Sequence, residues 1–327
     1  MTIGKLFMFG FDGTQPTDGI LNFIRNDKIS GVILFRRNFK SAEQLKKLTA
    51  DLQDAADGNL LIGIDQEGGR VANLPTSIID IPPMEKLGMD YIDGNCVDLA
   101  HELGFTLGEK LKLLGFNLDF APVLDVNTNH DNPIIGNRAF SGDPEVVAKL
   151  GCELVRGMTE AGVIACGKHF PGHGDTSEDS HETLPHLNHD MKRLNSVEIL
   201  PFKEAIDQKI PTLMSAHVVY EGVDPGVPAT LSKKILHDIL RGTLGYNGVL
   251  FSDDMEMDAI AKNYDIADAS VRAVNAGCDI TLICHTEDRQ RLALDAVKKA
   301  AESGAISKER IQESCKRIKK LTTSFLV

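Results

Sequence analysis

Asp179 and His181 stand two residues apart in the run Asp179-Ser-His181. At that spacing a carboxylate can orient an imidazole, fix its tautomer and keep it competent for proton transfer near neutrality. It equally suits an Asp that caps a turn beside a solvated histidine. The pair belongs to a segment from Lys168 to about Leu194, dense in His, Gly, Asp and Pro, that holds five of the ten histidines and reads as a long functional loop. His169, His173, Asp175, Asp179 and His181 are all chemically able to ligate a metal. However, Pro171 and Gly172 interrupt the helical turn that a His-x-x-x-His ligand pair needs, so no metal is expected.

A second stretch, Ser252-Asp253-Asp254, closes the apolar run Gly-Val-Leu-Phe. One acid at a helix entrance is readily an N-cap, but a second at the end of a buried strand costs desolvation energy unless it is paired or used. An ionised Asp in a cationic site can attack a sugar anomeric carbon, and spacing does not choose between Asp253 and Asp254. In Asp65-Gln-Glu-Gly-Gly an acid that can accept hydrogen bonds from sugar hydroxyls precedes a flexible turn, whose glycines let backbone approach a ligand. The turn lacks the glycine spacing of a nucleotide-binding loop, so no nucleotide cofactor is expected. Arg138, after a Pro- and Asn-rich loop, offers a guanidinium for hydroxyls or a carbonyl, or for a loop salt bridge. Asp125 suits either bracing that loop or touching substrate.

These residues need a scaffold that gathers strand ends. Eight short apolar or β-branched runs recur: Leu6 to Phe9, Gly31 to Phe35, Leu60 to Ile64, Asn117 to Ala121, Gly162 to Cys166, Thr212 to Ser215, Gly248 to Phe251 and Asp279 to Ile283. Helical periodicity follows in Ala42 to Ala56, Val97 to Leu114, Pro144 to Ala161, Val197 to Gln208, Lys233 to Leu240, Ile266 to Ala276, Thr286 to Glu302 and Lys308 to Phe325. The alternation predicts an α/β fold. The unusual polar stretches all sit directly after strands, as at the mouth of a (β/α)₈ TIM-type barrel whose active site collects at the C-terminal ends of the strands. No Gly-, Ser- or Pro-rich linker divides the chain, so residues 1–327 are expected to form one catalytic domain.

Composition narrows the partners. With 35 basic and 47 acidic side chains the net charge is −12, which argues against nucleic acid. No apolar run approaches the ~20 residues of a membrane span, and the N-terminus lacks the pattern of a secretory leader. The six cysteines are scattered without a Cys-x-x-Cys pair, which predicts buried free thiols and a reducing cytoplasm.

Taken together, Asp65-Gln-Glu-Gly-Gly, Phe120-Ala-Pro-Val-Leu-Asp125-Val, Gly167-Lys-His-Phe-Pro-Gly-His-Gly-Asp-Thr176, Asp179-Ser-His181 and Phe251-Ser-Asp-Asp254 resemble the family 3 glycoside hydrolases, most closely their β-N-acetylhexosaminidase branch. The resemblance implies a retaining mechanism with Asp253, the acid directly after Ser252, as nucleophile. It implies that His181, paired with Asp179, serves as acid/base, and that Asp65, Arg138, Lys168 and His169 hold the sugar. The implied substrate is a small carbohydrate bearing terminal β-linked N-acetylglucosamine, such as a peptidoglycan fragment or muropeptide. One departure is visible: relatives commonly carry Arg three positions beyond Arg70, where this chain has Asn73. Competing readings are a phosphorylase on the same fold, since an imidazole acid/base does not repel phosphate, a metal-dependent barrel hydrolase, and a non-catalytic sugar-binding protein.

Overall fold

Runs that are apolar on both faces become the staves of a closed parallel barrel. In the computed structural model, which describes residues 2–94 and 98–326, the barrel strands are β1 (Phe7–Phe9), β2 (Gly31–Leu34), β3 (Leu61–Ile64), β4 (Leu118–Asp119), β5 (Ile164–Phe170), β6 (Thr212–Ser215), β7 (Val249–Asp254) and β8 (Ile280–Ile283). Each pairs in parallel with its sequence neighbours, and β1 closes the ring by pairing with both β2 and β8. Phe7, Phe9, Ile62, Phe120, Leu213 and Phe251 are fully buried, as expected of strands covered inside by side chains and outside by helices.

The surrounding helices start where side chains cap them. Ser41 accepts from the Gln44 amide before Ala42–Ala55, Asp143 from Glu145 before Pro144–Glu160, Asp265 from Ala267 before Ile266–Ala276, and Ser307 from Arg310 before Lys308–Phe325. Below the barrel, at the start of β8, the buried Asp279 carboxylate accepts from Arg241, Arg317, Ser314 and the Leu250 amide. Burial alone would raise its pKa, yet Arg241, Arg310 and Arg317 hold it below the usual carboxylate range. This cluster joins the closing helix to the strands at the end opposite the polar mouth.

All eight expected strands are present, and the differences fall at their ends. The fifth runs on through Lys168 and His169 to Phe170, and the seventh through Asp253 to Asp254, so these four residues belong to strands and not to the loops expected from their polarity. The segment read as a loop from Lys168 to about Leu194 therefore begins at Pro171. Within it His186–Leu187 form a short strand paired with Val219–Tyr220, and it ends where a helix over Met191–Ser196, capped by Asp190, begins. The helix expected over Val197 to Gln208 spans Leu200–Asp207, with Pro201 in its first turn, and the one expected from Lys233 is a π-helix over Lys234–Thr243. Val97, the expected start of the helix that covers Asp98–Leu113, lies outside the described residues, as does Cys96. The other five cysteines are free thiols. Among the described residues no helix is long and apolar enough to cross a membrane.

Candidate active site

The ends of β2, β3, β5, β7 and β8 surround a cavity of about 500 Å³ that opens at the C-terminal mouth of the barrel. Asp65, Arg138, Lys168, His169, His181 and Asp253 all line it, so residues separated by up to 188 positions meet in one place. A smaller cavity of about 360 Å³ at the opposite end is lined by Tyr246, Lys320 and Phe325 among others, but by no carboxylate, imidazole or thiol.

A buried charge cluster forms the floor. Glu67, which follows β3 on a short hairpin strand (Gln66–Gly68), accepts both arms of the Arg138 guanidinium at 2.8 Å each. It also meets the Lys168 ammonium at 2.6 Å, while Lys168 reaches the partly exposed Asp65 at 2.7 Å. Burial by itself would neutralise these groups, but here opposite charges interlock. Despite its burial Glu67 is held far below the usual carboxylate range by Arg138 and Lys168, and Lys168 is held above the usual ammonium range by Asp65 and Glu67. Most of the charge on Arg138 is thus spent on Glu67. Asp65, with its side chain 22% exposed, is the member of the cluster most open to a ligand. Beneath it, burial pushes the Asp119 carboxyl up to about 8, while one of its oxygens accepts from the Gln66 amide at 2.9 Å.

Asp125 is a brace. Fully buried, it accepts from the His169 and His173 backbone amides at 3.1 and 2.7 Å, and its other oxygen pairs with His169 Nδ1 at 2.7 Å. That fixes the His169 ring with Nε2 as its remaining polar atom on the cavity wall. The following turn is drawn tight against the barrel: a Cβ on Gly174 would lie 1.9 Å from the Val126 carbonyl oxygen, so only glycine fits there. From this turn the chain passes to Asp179 and His181, whose Nδ1 and backbone amide both meet Asp179 Oδ1 at 2.8 Å. Partial burial opposes ionisation of Asp179, but these two contacts keep its pKa below the ordinary value. His181 Nε2 is left free at a side chain that is 58% exposed.

The two acids at the end of β7 differ in their commitments. Asp254 accepts from the Glu256 and Cys284 amides at 3.1 and 3.2 Å and pairs with His285 at 3.2 Å. Asp253 accepts at one oxygen from the Asp254 amide at 2.8 Å, and its other oxygen has no protein partner among these contacts. Burial pushes the Asp253 carboxyl up, but His169, His217 and the Asp254 amide together keep it below its ordinary pKa, with His181 contributing. His217, from the segment after β6, is buried, with Nδ1 on Thr230 and Nε2 on the Asp254 carbonyl oxygen. Its burial lowers its own pKa.

Every expected site residue therefore reaches the cavity or, in the case of Asp179, orients one that does. The geometry adds Glu67, His173 and His217. Glu67 stood within a quoted motif, but its role depends on Arg138, 71 residues away. The possible metal ligands do not converge: His169 pairs with Asp125, His173 with Thr176 and Ser180, and Asp175 with Thr128. Among the described residues no group of three or more His, Cys, Asp or Glu side chains is arranged to hold a metal ion. Asn73 is also spoken for, its side chain tying the Arg36 amide to the Asp65 carbonyl oxygen at 2.9 and 2.8 Å. Arg70, on the same cavity wall, donates to the Ile134 and Ile135 carbonyl oxygens.

Comparison with known proteins agrees with this architecture. The model of the glycosyl hydrolase family 3 N-terminal domain matches residues 2–321. A β-hexosaminidase of Methylobacillus flagellatus is 38% identical over 291 residues, covering 88% of this chain and 82% of that protein. Among solved structures, a family 3 β-N-acetylglucosaminidase from a Paenibacillus species superposes with a TM-score of 0.95 at 44% identity, over 99% of this chain. This chain spans 62% of that longer protein. NagZ from Neisseria gonorrhoeae, solved in complex with N-trifluoroacetyl-D-glucosamine, gives 0.82 at 32% identity over 98% of this chain and 97% of its own.

Proposed function

The chain belongs to glycosyl hydrolase family 3 and is a glycoside hydrolase, and from that premise we propose that it is a retaining exo-β-N-acetylglucosaminidase acting on terminal non-reducing residues. The observation that carries the reading is the contrast at the end of β7: Asp254 is fully engaged, while Asp253 is ionised, half-buried on the cavity wall and keeps one oxygen uncommitted. In the first step that oxygen attacks the anomeric carbon. The bond to the aglycone oxygen breaks, and the Nε2 proton of His181 goes to the departing oxygen while Asp179 stabilises Nδ1–H. In the second step His181 Nε2 takes a proton from water, whose oxygen displaces Asp253 from the anomeric carbon and returns both groups to their starting states. Asp65, Lys168, His169 and Arg138 hold the sugar, with Asp65 and His169 making the direct contacts and Arg138 acting through Glu67.

The single barrel carries all of these groups, so one catalytic domain suffices. Peptidoglycan fragments are the natural source of such a terminal sugar, and the free thiols favour a reducing compartment, the cytoplasm, for their recycling. Turnover of β-linked chromogenic sugars of gluco and N-acetylglucosamine configuration tests the substrate class. Mapping the peptide trapped by a fluorosugar tests the nucleophile, and label on Asp254 would refute the assignment. Because an imidazole does not repel phosphate, products are compared with and without phosphate: free N-acetylglucosamine is expected, and sugar 1-phosphate would identify a phosphorylase instead.

A further inference from the structure

Between the two members of the Asp179–His181 pair stands Ser180, and it behaves unlike its neighbours. Its residue exposure is 2%, whereas the His181 side chain next to it is 58% exposed. Ser180 Oγ lies 2.9 Å from His173 Nε2, and the Ser180 carbonyl oxygen accepts from the Ala259 amide at 3.2 Å. The exposed tip that carries the imidazole is thus held to the barrel from its middle residue.

The hydrogen bonds around His173 fix its tautomer. Thr176 Oγ1 donates to the His173 carbonyl oxygen at 3.1 Å, so at 2.8 Å from His173 Nδ1 it accepts that ring's N–H. Nε2 is then the unprotonated nitrogen, and it accepts the Ser180 hydroxyl proton. Asn132 Nδ2 donates to both the His173 carbonyl oxygen and Thr176 Oγ1, and Asp125 accepts the His173 amide at 2.7 Å. The same Asp125 carboxylate orients His169. Burial lowers the His173 pKa to about 4, in keeping with a neutral ring that accepts at Nε2.

We propose that His173 is a positioning residue, a latch whose Nε2 accepts from Ser180 and so seats His181 over the cavity without itself transferring a proton to substrate. Seating His181 matters only if His181 is the acid/base, as proposed above. One buried carboxylate, Asp125, accepts from the His169 ring and from the His173 backbone amide, so that one brace sets the cavity wall and the height of the loop above it.

The test is steady-state kinetics on two β-N-acetylglucosaminides, one with an activated aryl leaving group and one with a simple alkyl leaving group. Ser180→Ala is expected to lower kcat/KM on the alkyl substrate at least about tenfold, a part of the 10²–10⁴ that a positioned general acid supplies. On the aryl substrate kcat/KM should change less than about threefold, because an activated leaving group departs without a proton. There kcat is not the readout, since it includes the second step, in which His181 acts as base for both substrates. His173→Asn, too short to reach Ser180, should give the same pattern. His173→Gln, whose side-chain oxygen can stand near the Nε2 position, should recover most of the loss. Equal losses of kcat/KM on both substrates, or a loss on the alkyl substrate confined to KM, would overturn the latch, and Ser180→Ala keeps that outcome accessible should either His173 variant fail to fold. His181→Ala in the same assay separates the two levels. If it shows no leaving-group dependence, the acid/base reading falls and the latch with it. If it does and Ser180→Ala does not, the latch alone is refuted.

Discussion

Glu67→Gln removes one charge from the floor of the cavity while keeping the side chain's shape. The wild-type carboxylate is 3% exposed and faces Arg138 through two bonds of 2.8 Å and Lys168 at 2.6 Å. In the variant two buried cations repel one another across a neutral amide, with Asp65 as the remaining partner of Lys168. Breaking a buried ion pair from one side costs about 3–5 kcal/mol, because the stranded charge has lost its water as well as its partner. A chain of 327 residues has an unfolding entropy near 0.7 kcal/mol per kelvin at about 2 cal/mol/K per residue, so the midpoint should fall by roughly 4–7 °C.

The pH dependence follows from the direction of the shift. Glu67 is held below its unfolded value of 4.5, so its contribution is complete above that pH and is lost as pH falls toward the folded value. Differential scanning calorimetry of both proteins should show a constant gap from pH 7 down to about 5. Below 4.5 the gap should narrow by about 1.4 kcal/mol per pH unit. A variant that melts within 1 °C of wild type at pH 7, or a gap that widens on acidification, would refute the interlocked-charge account of the site floor.

Three other outcomes are expected. Asp253→Ala should abolish turnover with the fold retained by circular dichroism, whereas Asp254→Ala should keep measurable activity and lose about 1–3 kcal/mol on denaturant titration, because two backbone amides and His285 lose their acceptor. Asp279→Ala, at the other end of the barrel, should destabilise by about 3–5 kcal/mol as three arginines lose a shared partner, yet leave kcat at temperatures well below the midpoint within about twofold. The β-N-acetylglucosaminide should exceed the plain β-glucoside at least about a hundredfold in kcat/KM, or about 2.7 kcal/mol, since a site built to bond a substituent leaves its own polar groups unpaired without it. Comparable rates would sink the hexosaminidase reading.

How much of this was legible in the sequence depended on the range of the interaction. Strand cores were readable because apolar runs such as Gly31-Val-Ile-Leu must be buried on both faces of a parallel barrel, and those positions agree with the structure. Strand ends were not. Lys168 and His169 look like loop residues by polarity, yet they continue β5, because Leu124 donates to the Lys168 carbonyl oxygen and Asp125 receives the His169 amide. Those partners lie more than forty residues away and leave no local trace. The dyad of Asp179 and His181 was visible because its bond spans two residues.

The same limit explains why the supporting roles of Glu67, His173 and His217 were not legible, although the sequence marks His173 as a possible metal ligand. A side chain offered to a cavity at the barrel mouth stands near the end of a strand, which marks it by a change from apolar to polar residues, as at Asp65 and Asp253. Glu67, His173 and His217 satisfy other protein groups, and their identity makes sense only once Arg138, Ser180 and Thr230 are brought beside them by the barrel. Asn73 illustrates the converse. Read along the chain it marks a missing cation, but in the fold its amide joins the end of β2 to the end of β3 by bonding the Arg36 amide and the Asp65 carbonyl oxygen. An arginine placed there would gain a charge at the cavity and give up both of those bonds. The departure at that position therefore exchanges a reach toward ligand for a fixed backbone at Asp65, the most exposed acid of the buried charge cluster.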